Sequence, residues 1–244
     1  MKKLALALSV ILLTLGANAQ NIQTLYHLGS SSGNFLTTTV EMFKPDKHGS
    51  TFFFIDMNYD EAGVKGVDMA YWEISHSWTI AKSPFAAHIE YNGGFGQFMP
   101  NNKYQDNGIA YTINDAYLGG VEYSWNAKDF SKGFTFETLY KNIRGKTNAS
   151  FQLTGVWYVN FLKNKLKFDG FADFWKETNS YQIGTTTAGA PIIEVSKFTF
   201  LTEPQLWYNF NGHFAAGSEV RFRWNFGGLQ GFAVQPTVAA KYTF

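Results

Sequence analysis

The sequence predicts an all-β fold, a transmembrane, antiparallel, up-and-down β-barrel of about twelve strands. Three observations carry that expectation. Apolar and polar residues alternate with a period of two along most of the 244 residues, which puts one class of side chain on each face of a strand. Aromatic residues are abundant, with 24 Phe, 13 Tyr and 7 Trp, yet the mean hydropathy is −0.18, so greasy and polar side chains are interleaved. Beyond the leader, no window is apolar enough for a spanning helix, which needs about 20 such residues.

The chain opens with an export signal. Lys2 and Lys3 precede an apolar run from Leu4 to Leu15, and Ala17-Asn18-Ala19 forms a small-residue cleavage site before Gln20. The expected division is a cleaved signal peptide at 1–19 and a barrel at 20–244. The run is too short for a membrane anchor, and the chain has no cysteine to take a lipid. Losing Lys2 and Lys3 lowers a formal charge of +1 to near balance, without the basic excess of a nucleic-acid binder. Lacking disulfides, the protein must draw its stability from a hydrogen-bonded framework.

Each strand rests on its own alternation. At the C-terminus Phe232, Val234, Pro236, Val238, Ala240, Tyr242 and Phe244 share one phase. Ala233, Gln235, Thr237, Ala239, Lys241 and Thr243 share the other. Phe151, Leu153, Trp157 and Phe161 likewise oppose Gln152, Thr154 and Asn160, and Phe214, Val220, Phe222 and Trp224 oppose Glu219, Arg221 and Arg223. In chain order, strands are expected at 21–29, 34–44, 51–59, 67–78, 84–92 and 113–125. Six more are expected at 133–143, 150–161, 165–177, 197–210, 214–226 and 232–244. Short turns fall on one rim, and the two long connections, 93–112 and 178–196, fall on the other. An outer-membrane barrel shows that asymmetry when both termini face the periplasm.

Twelve strands enclose too wide an interior for an apolar core, so the greasy phase is expected to face lipid. Trp72, Trp78, Trp125, Trp224, Tyr59 and Tyr91 are expected in the interfacial girdles. The ending Tyr242-Thr243-Phe244 resembles the signal by which such barrels are inserted. Pro204 and Pro236 lie inside proposed strands, and each predicts a bulge or an end of pairing because it has no N–H to give.

The other phase lines the lumen. It carries Glu41, Asp56, Glu73, Glu90, Glu122, Glu137, Asp169, Asp173, Glu203 and Glu219, with Lys141, Lys167, Arg221, Arg223, Lys241 and His88. The expected picture is a broad acidic wall, with Arg221, Arg223 and Lys241 as a basic strip across one ladder. Such a field orients small polar solutes. Phe52, Phe54, Tyr71, Tyr158, Phe171, Trp175 and Trp207 share the inner face and offer stacking surfaces beside the carboxylates. The opposing reading is that the charges pair and plug the interior.

Catalytic and metal chemistry have weaker support. His48 and His213 read as turn residues, and His88 with Glu90 as a buried pair. His76, between Ser75 and Ser77, resembles a lipid hydrolase arrangement but lies toward the wrong rim. His27 with Ser30, Ser31 and Ser32 reads as rim and turn chemistry. There is no His-x-x-x-His spacing, and Asp169 and Asp173 read as solvated carboxylates that could help hold a hard cation. Gly93-Gly94-Phe95-Gly96 precedes no helix and reads as a loop, not a phosphate cradle. No catalytic residue, cofactor or metal is expected.

Several segments carry a family resemblance. They are Thr39-Val40-Glu41-Met42-Phe43-Lys44-Pro45-Asp46-Lys47, Ser50-Thr51-Phe52-Phe53-Phe54-Ile55-Asp56-Met57 and Ala70-Tyr71-Trp72-Glu73-Ile74. Phe171-Ala172-Asp173-Phe174-Trp175 and Glu203-Pro204-Gln205-Leu206-Trp207-Tyr208 complete the set. Together they resemble an uncharacterised outer-membrane barrel family of gut-type bacteria. That family is in turn distantly similar to the nucleoside-specific channel (Tsx) barrels. The resemblance implies a monomeric twelve-strand barrel passing nucleosides or similarly small ring-bearing solutes. The function expected is passive uptake of small polar solutes through the bacterial cell outer membrane. A structural or partner-binding barrel with a plugged lumen is the alternative, and a lipid hydrolase the third. Expected partners are outer-membrane lipid, small polar solutes and, through the C-terminal strand, the barrel-assembly machinery.

Overall fold

The computed structural model describes residues 20–29, 33–60, 64–99, 109–146 and 150–244. The leader at 1–19 and Ser30, Ser31 and Ser32 lie outside the described residues. Alternation becomes strand along nearly the whole described chain. The elements are β1 (Gln20–His27), β2 (Phe35–Pro45), β3 (Gly49–Tyr59), β4 (Val67–Thr79), β5 (Phe85–Phe98), β6 (Ile109–Asn126) and β7 (Lys132–Ile143). They continue as β8 (Ser150–Phe161), β9 (Leu166–Thr185), β10 (Pro191–Thr202), β11 (Gln205–Asn209), β12 (Phe214–Trp224) and β13 (Phe232–Thr243). All pairings are antiparallel, and β13 pairs with β1 to close the sheet. Closure removes every free edge.

β10 and β11 share one stave, so the barrel has twelve. Both lie between β9 and β12, with Thr202 opposite Ala172 and Gln205 opposite Asp169, so the register carries across the break. The break falls at Glu203-Pro204, where the proline predicted it. Gly170 accommodates it, because a Cβ there would meet the Glu203 carbonyl oxygen at 2.6 Å and Pro204 Cα at 2.9 Å. Pro236 acts more quietly. Pairing of β12 with β13 runs to Gly217–Ala239 and resumes at Val220–Pro236 in the same register. Beside the proline, the Thr237 hydroxyl accepts from the Glu219 N–H at 2.9 Å and lies 3.0 Å from the Glu219 carbonyl.

Two expected connections are corrected. Both ends of 93–112 are strand, since β5 runs to Phe98 and β6 starts at Ile109, while 100–108 lie outside the described residues; 178–196 is largely strand, since β9 and β10 leave only 186–190 as a turn. Gly93-Gly94-Phe95-Gly96 is therefore β-sheet and not a loop. Glycine suits it physically, because a Cβ on Gly96 would meet the Tyr111 ring at 2.4 Å and one on Gly94 the Ala70 carbonyl oxygen at 2.5 Å.

The outer face carries the greasy phase. Ile74, Ile89, Val121, Phe134, Phe136, Leu206, Val234 and Val238 are all exposed. On the outer face near the loop rim, Asp115 pairs with Arg144 at 3.2 Å and accepts a hydrogen bond from Tyr91 Oη at 2.9 Å. Lys132 begins β7 twelve residues before Arg144. At ~3.4 Å per residue and a ~40° tilt, that interval spans roughly 30 Å, the thickness of a hydrocarbon core. Trp78, Trp125, Trp224 and Tyr59 stand at strand ends, as girdle residues should. Trp72 and Tyr91 are mid-strand, because β4 and β5 continue past the level of Asp115.

Candidate functional site

The lumen gathers the charged residues of the sequence into distinct zones. The first is an acidic hub built by β4 to β7. Ser77 faces His88 across β4 and β5, and Glu122 faces Glu137 across β6 and β7. The His88 imidazole lies 3.3 Å from Glu90 through Nε2, 3.4 Å from Glu122 through Nδ1 and 3.9 Å from Glu137. Ser77 Oγ donates to Glu122 at 2.6 Å. Glu73 accepts from the Tyr71 hydroxyl at 2.6 Å, and Asp173 accepts from Thr154 at 2.6 Å.

A second zone surrounds Arg221. Its guanidinium is hydrogen-bonded and ion-paired to Glu203 on the neighbouring stave. Glu219 accepts from Gln205 Nε2 at 2.8 Å, and Gln205 in turn accepts from Trp207 Nε1 at 2.8 Å. Asp56, from β3, accepts from Thr39 at 2.5 Å and lies within the electrostatic reach of both Arg221 and Glu203. Arg223 is half-buried one step further along the inner face, opposite Ala233 and Leu201.

The third zone lies toward the terminal rim. Lys241 Nζ sits 3.9 Å over the ring of Trp207, which is 1% exposed. Lys167 pairs with Asp169 at 2.6 Å, and Glu41 accepts from Asn21 at 2.9 Å. This corrects the expected basic strip. Lys241 pairs with Ala215 whereas Arg221 pairs with Gln235, an offset of six residues or about 20 Å along the strand. The bases sit in separate patches, with carboxylates beside Arg221 and Lys167. Asp169 and Asp173 are also apart in partners, one on Lys167 and the other on Thr154.

At the loop end, Lys141 bonds Gln152 at 2.6 Å and lies 4.4 Å over the Trp175 ring. The segment 225–231 brings Phe226 to the same ring. Asn225 holds that segment: its carbonyl accepts from Tyr181 at 3.0 Å, and its side-chain oxygen accepts from the Gly231 N–H at 2.9 Å. Sequence reasoning missed Asn225 and Phe226. The available signal was Asn225 two residues before Gly227-Gly228, a tight turn in which Asn225, Gly227 and Gly228 all take positive φ.

The histidines with candidate catalytic neighbours are dispersed. His76 faces outward, bonds Thr51 at 2.8 Å and stacks edge-on to Trp78, whereas Ser77 points inward to His88. His27 is buried, stacked on Phe35 at 4.2 Å and bonded to Thr37 at 2.9 Å. His213 lies 2.8 Å from the Thr243 carbonyl through Nδ1 and helps pin the last strand. His48 lies in the turn between β2 and β3.

A closed twelve-stave barrel, greasy outside and charged inside, has the architecture of an outer-membrane barrel. The chain belongs to the family described as Domain of unknown function (DUF5020), whose model matches residues 19–244. No curated protein matches it in sequence. Among solved structures it is similar to the KdgM porin in complex with disordered oligogalacturonate, at 12% identity and TM-score 0.51, covering 92% of this chain and 99% of that one. The KdgM porin alone gives 11% identity and TM-score 0.50 over the same shares. The Acinetobacter baumannii outer membrane protein Omp33 gives 13% identity and TM-score 0.42, covering 93% and 98%. At these identities the likeness to KdgM shows a common fold.

Proposed function

We propose that the barrel is a narrow passive channel of the bacterial outer membrane, leaning toward cations and passing small polar solutes, nucleoside-like ones among them. One observation carries this reading: charged side chains line the inner face along its length, and Glu41, Asp56, Glu73, Glu90, Asp173 and Arg221 are none of them fully buried. The ten carboxylates expected on the inner face, against its five lysines and arginines, give the path a cation bias. The tilted rings of Phe52, Phe54 and Tyr71, with centroids 6.0 Å apart, form an aromatic ladder beside Glu73 and Asp56. A planar base can stack there while the carboxylates take its hydroxyls. The KdgM comparison supports a porin-type scaffold, but an acid-lined wall suits a neutral or cationic solute better than the sugar-acid chain in that complex.

The reading treats the protein as non-catalytic, exported through its leader, monomeric and in contact with outer-membrane lipid and the barrel-assembly machinery. A plugged barrel is the second reading, favoured by the packing of Phe226 on Trp175 at the loop end. Conductance in a planar bilayer separates the two. Steady cation-preferring openings, interrupted by added nucleosides and less so in Tyr71→Leu, are expected. Silence at every voltage would sink the channel.

A further inference from the structure

The rim that carries the short turns bears a lopsided charge. Lys44 and Lys47 stand at the β2–β3 turn, Lys82 at β4–β5, Lys128 and Lys132 at β6–β7, and Lys163 and Lys165 at β8–β9, and every one of them is exposed. Asp46 and Asp129 are the exposed acids of the same turns. Among the described residues, the ion pairs engage Arg144, Lys146, Lys167 and Arg221 and none of these rim lysines. The opposite rim is balanced. Arg144 pairs there with Asp115 and Lys146 with Glu177, and exposed Lys65 and Lys197 are matched by Asp60 and Glu194.

We propose that the short-turn rim is a docking surface for anionic phospholipid of the inner leaflet. Its lysines grip headgroup phosphates while apolar turn residues enter the acyl boundary.

Position supports this first. The short connections of an outer-membrane barrel face the periplasm, so this rim meets the inner leaflet. Lys132 opens β7 about one hydrocarbon thickness below Arg144, which sets its ammonium at the level of phosphates. The turns also follow one another round the wall, from β2 to β9 in unbroken sheet order. They present an arc of positive charge to the headgroups, not one isolated cation.

The apolar residues of the same turns choose lipid over a soluble anion. Ile80, Phe130 and Leu162 are 47%, 68% and 71% exposed, each in a turn that also bears lysine. Trp78 and Trp125 stand at the strand ends beside them. An apolar body at the interface with an ammonium reaching outward is the pattern of interfacial anchoring. A soluble acidic partner would answer the lysines and leave these side chains in water.

The backbone gives a second, independent sign. Phe130 and Leu162 take φ of 53° and 49°, the left-handed region that Gly or Asn fills cheaply and a bulky residue rarely enters. Both turns accept that cost at the position that projects an apolar side chain.

The inference rests on the outer-membrane reading above and not on conduction. Its test places the folded mature barrel in phosphatidylcholine vesicles and compares, by electron spin resonance, the association of spin-labelled phosphatidylglycerol and spin-labelled phosphatidylcholine. Phosphatidylglycerol should be preferred about fivefold or more at low salt, the worth of one engaged lysine. The preference should fall toward parity in about 1 M salt. Combining Lys82→Gln, Lys128→Gln, Lys163→Gln and Lys165→Gln, all at exposed sites, should bring it within about twofold. Lys65→Gln with Lys197→Gln, at the opposite rim, should leave it unchanged. Equal association of the two lipids with the wild-type barrel at low salt would overturn the proposal. So would an undiminished preference in the quadruple variant, or the same loss in the opposite-rim pair. Full displacement of phosphatidylglycerol by soluble hexaglutamate would also overturn it, marking the arc as a site for an acidic protein. A chain that does not insert into vesicles at all would refute the outer-membrane reading itself, whereas insertion without lipid preference refutes this inference alone.

Discussion

Phe226 stands edge-on to Trp175, with ring centroids 5.8 Å apart and planes at 85°. The two residues are 51 positions apart in sequence and meet because Asn225 ties its segment to Tyr181 and Thr199 on β9 and β10. Ala116, Leu118, Leu139 and Ile143 pack with Trp175 on the inner wall. The loop end of the lumen therefore carries an apolar cluster, and Phe226 is the piece of it borne by a turn.

Replacing that ring tests whether it limits the path. Phe226→Ala removes an aromatic pair worth about 0.5–1.5 kcal/mol beyond its buried area and should leave the barrel folded. Single-channel conductance is expected to rise, about twofold if this contact sets the narrowest section of a pore whose conduction follows its constriction. Unaltered conductance would move the constriction to the acidic hub.

The Arg221–Glu203 pair makes a stability claim and a selectivity claim. Both side chains are mostly out of water, at 19% and 11% exposed. Removing one partner of such a pair costs about 3–5 kcal/mol, so Arg221→Met should lower the urea midpoint of the refolded barrel markedly. Charge reversal at Arg221 and Arg223 should shift the reversal potential toward cations in a salt gradient. An identical potential in wild type and variant would take both arginines off the path.

Much of this fold is written in alternation, and the limits of alternation mark what is not. Period two places Glu137 and Lys141 inside and Phe134 and Phe136 outside without further help. It cannot say that Ser77 faces His88 or that Glu122 faces Glu137, because register belongs to strand pairs and one-strand patterns do not encode it. The acidic hub was thus legible as a set of residues but not as a cluster. Lys241 shows the same limit, since sharing a face with Arg221 did not place it at the same height. Gly93, Gly94 and Gly96 misled in a different way. Glycine signals a loop in isolation, but here it makes room for Tyr111 and the neighbouring backbone. Pro204 was the converse, a residue whose missing N–H fixed the break from sequence alone.

Gly170 should be intolerant of any side chain. Its φ of 155° and the approach of Glu203 and Pro204 leave a Cβ no room without moving backbone. Gly170→Ala is expected to cost about 1–3 kcal/mol, read as a lower unfolding midpoint, whereas Pro204→Ala should cost far less because Ala fits the same broken stave. Equal effects would show that the kink is set by something other than this close approach.

The turns outside the membrane carry a pH dependence of definite sign. Asp46 accepts from the backbone N–H of His48 at 2.6 Å and of Gly49 at 3.0 Å, and the His48 bond foremost holds its carboxyl below the usual range. Asp129 is lowered first by the Ser131 hydroxyl, at 2.8 Å, and then by the Ser131 N–H. A carboxyl held lower in the folded state than in the unfolded one stabilises the fold above its ordinary value of about 3.9, and that contribution disappears as pH falls through the lowered value. Asn keeps the acceptor oxygen and removes the charge, so the double variant Asp46→Asn, Asp129→Asn isolates this effect. Its unfolding free energy should lie below that of wild type by a constant amount from neutral pH down to about pH 4. Below that the two curves should converge, because the wild-type carboxyls become neutral as well. Curves that stay parallel into strong acid would mean that the turns are held by their shape and not by the charge on these two side chains.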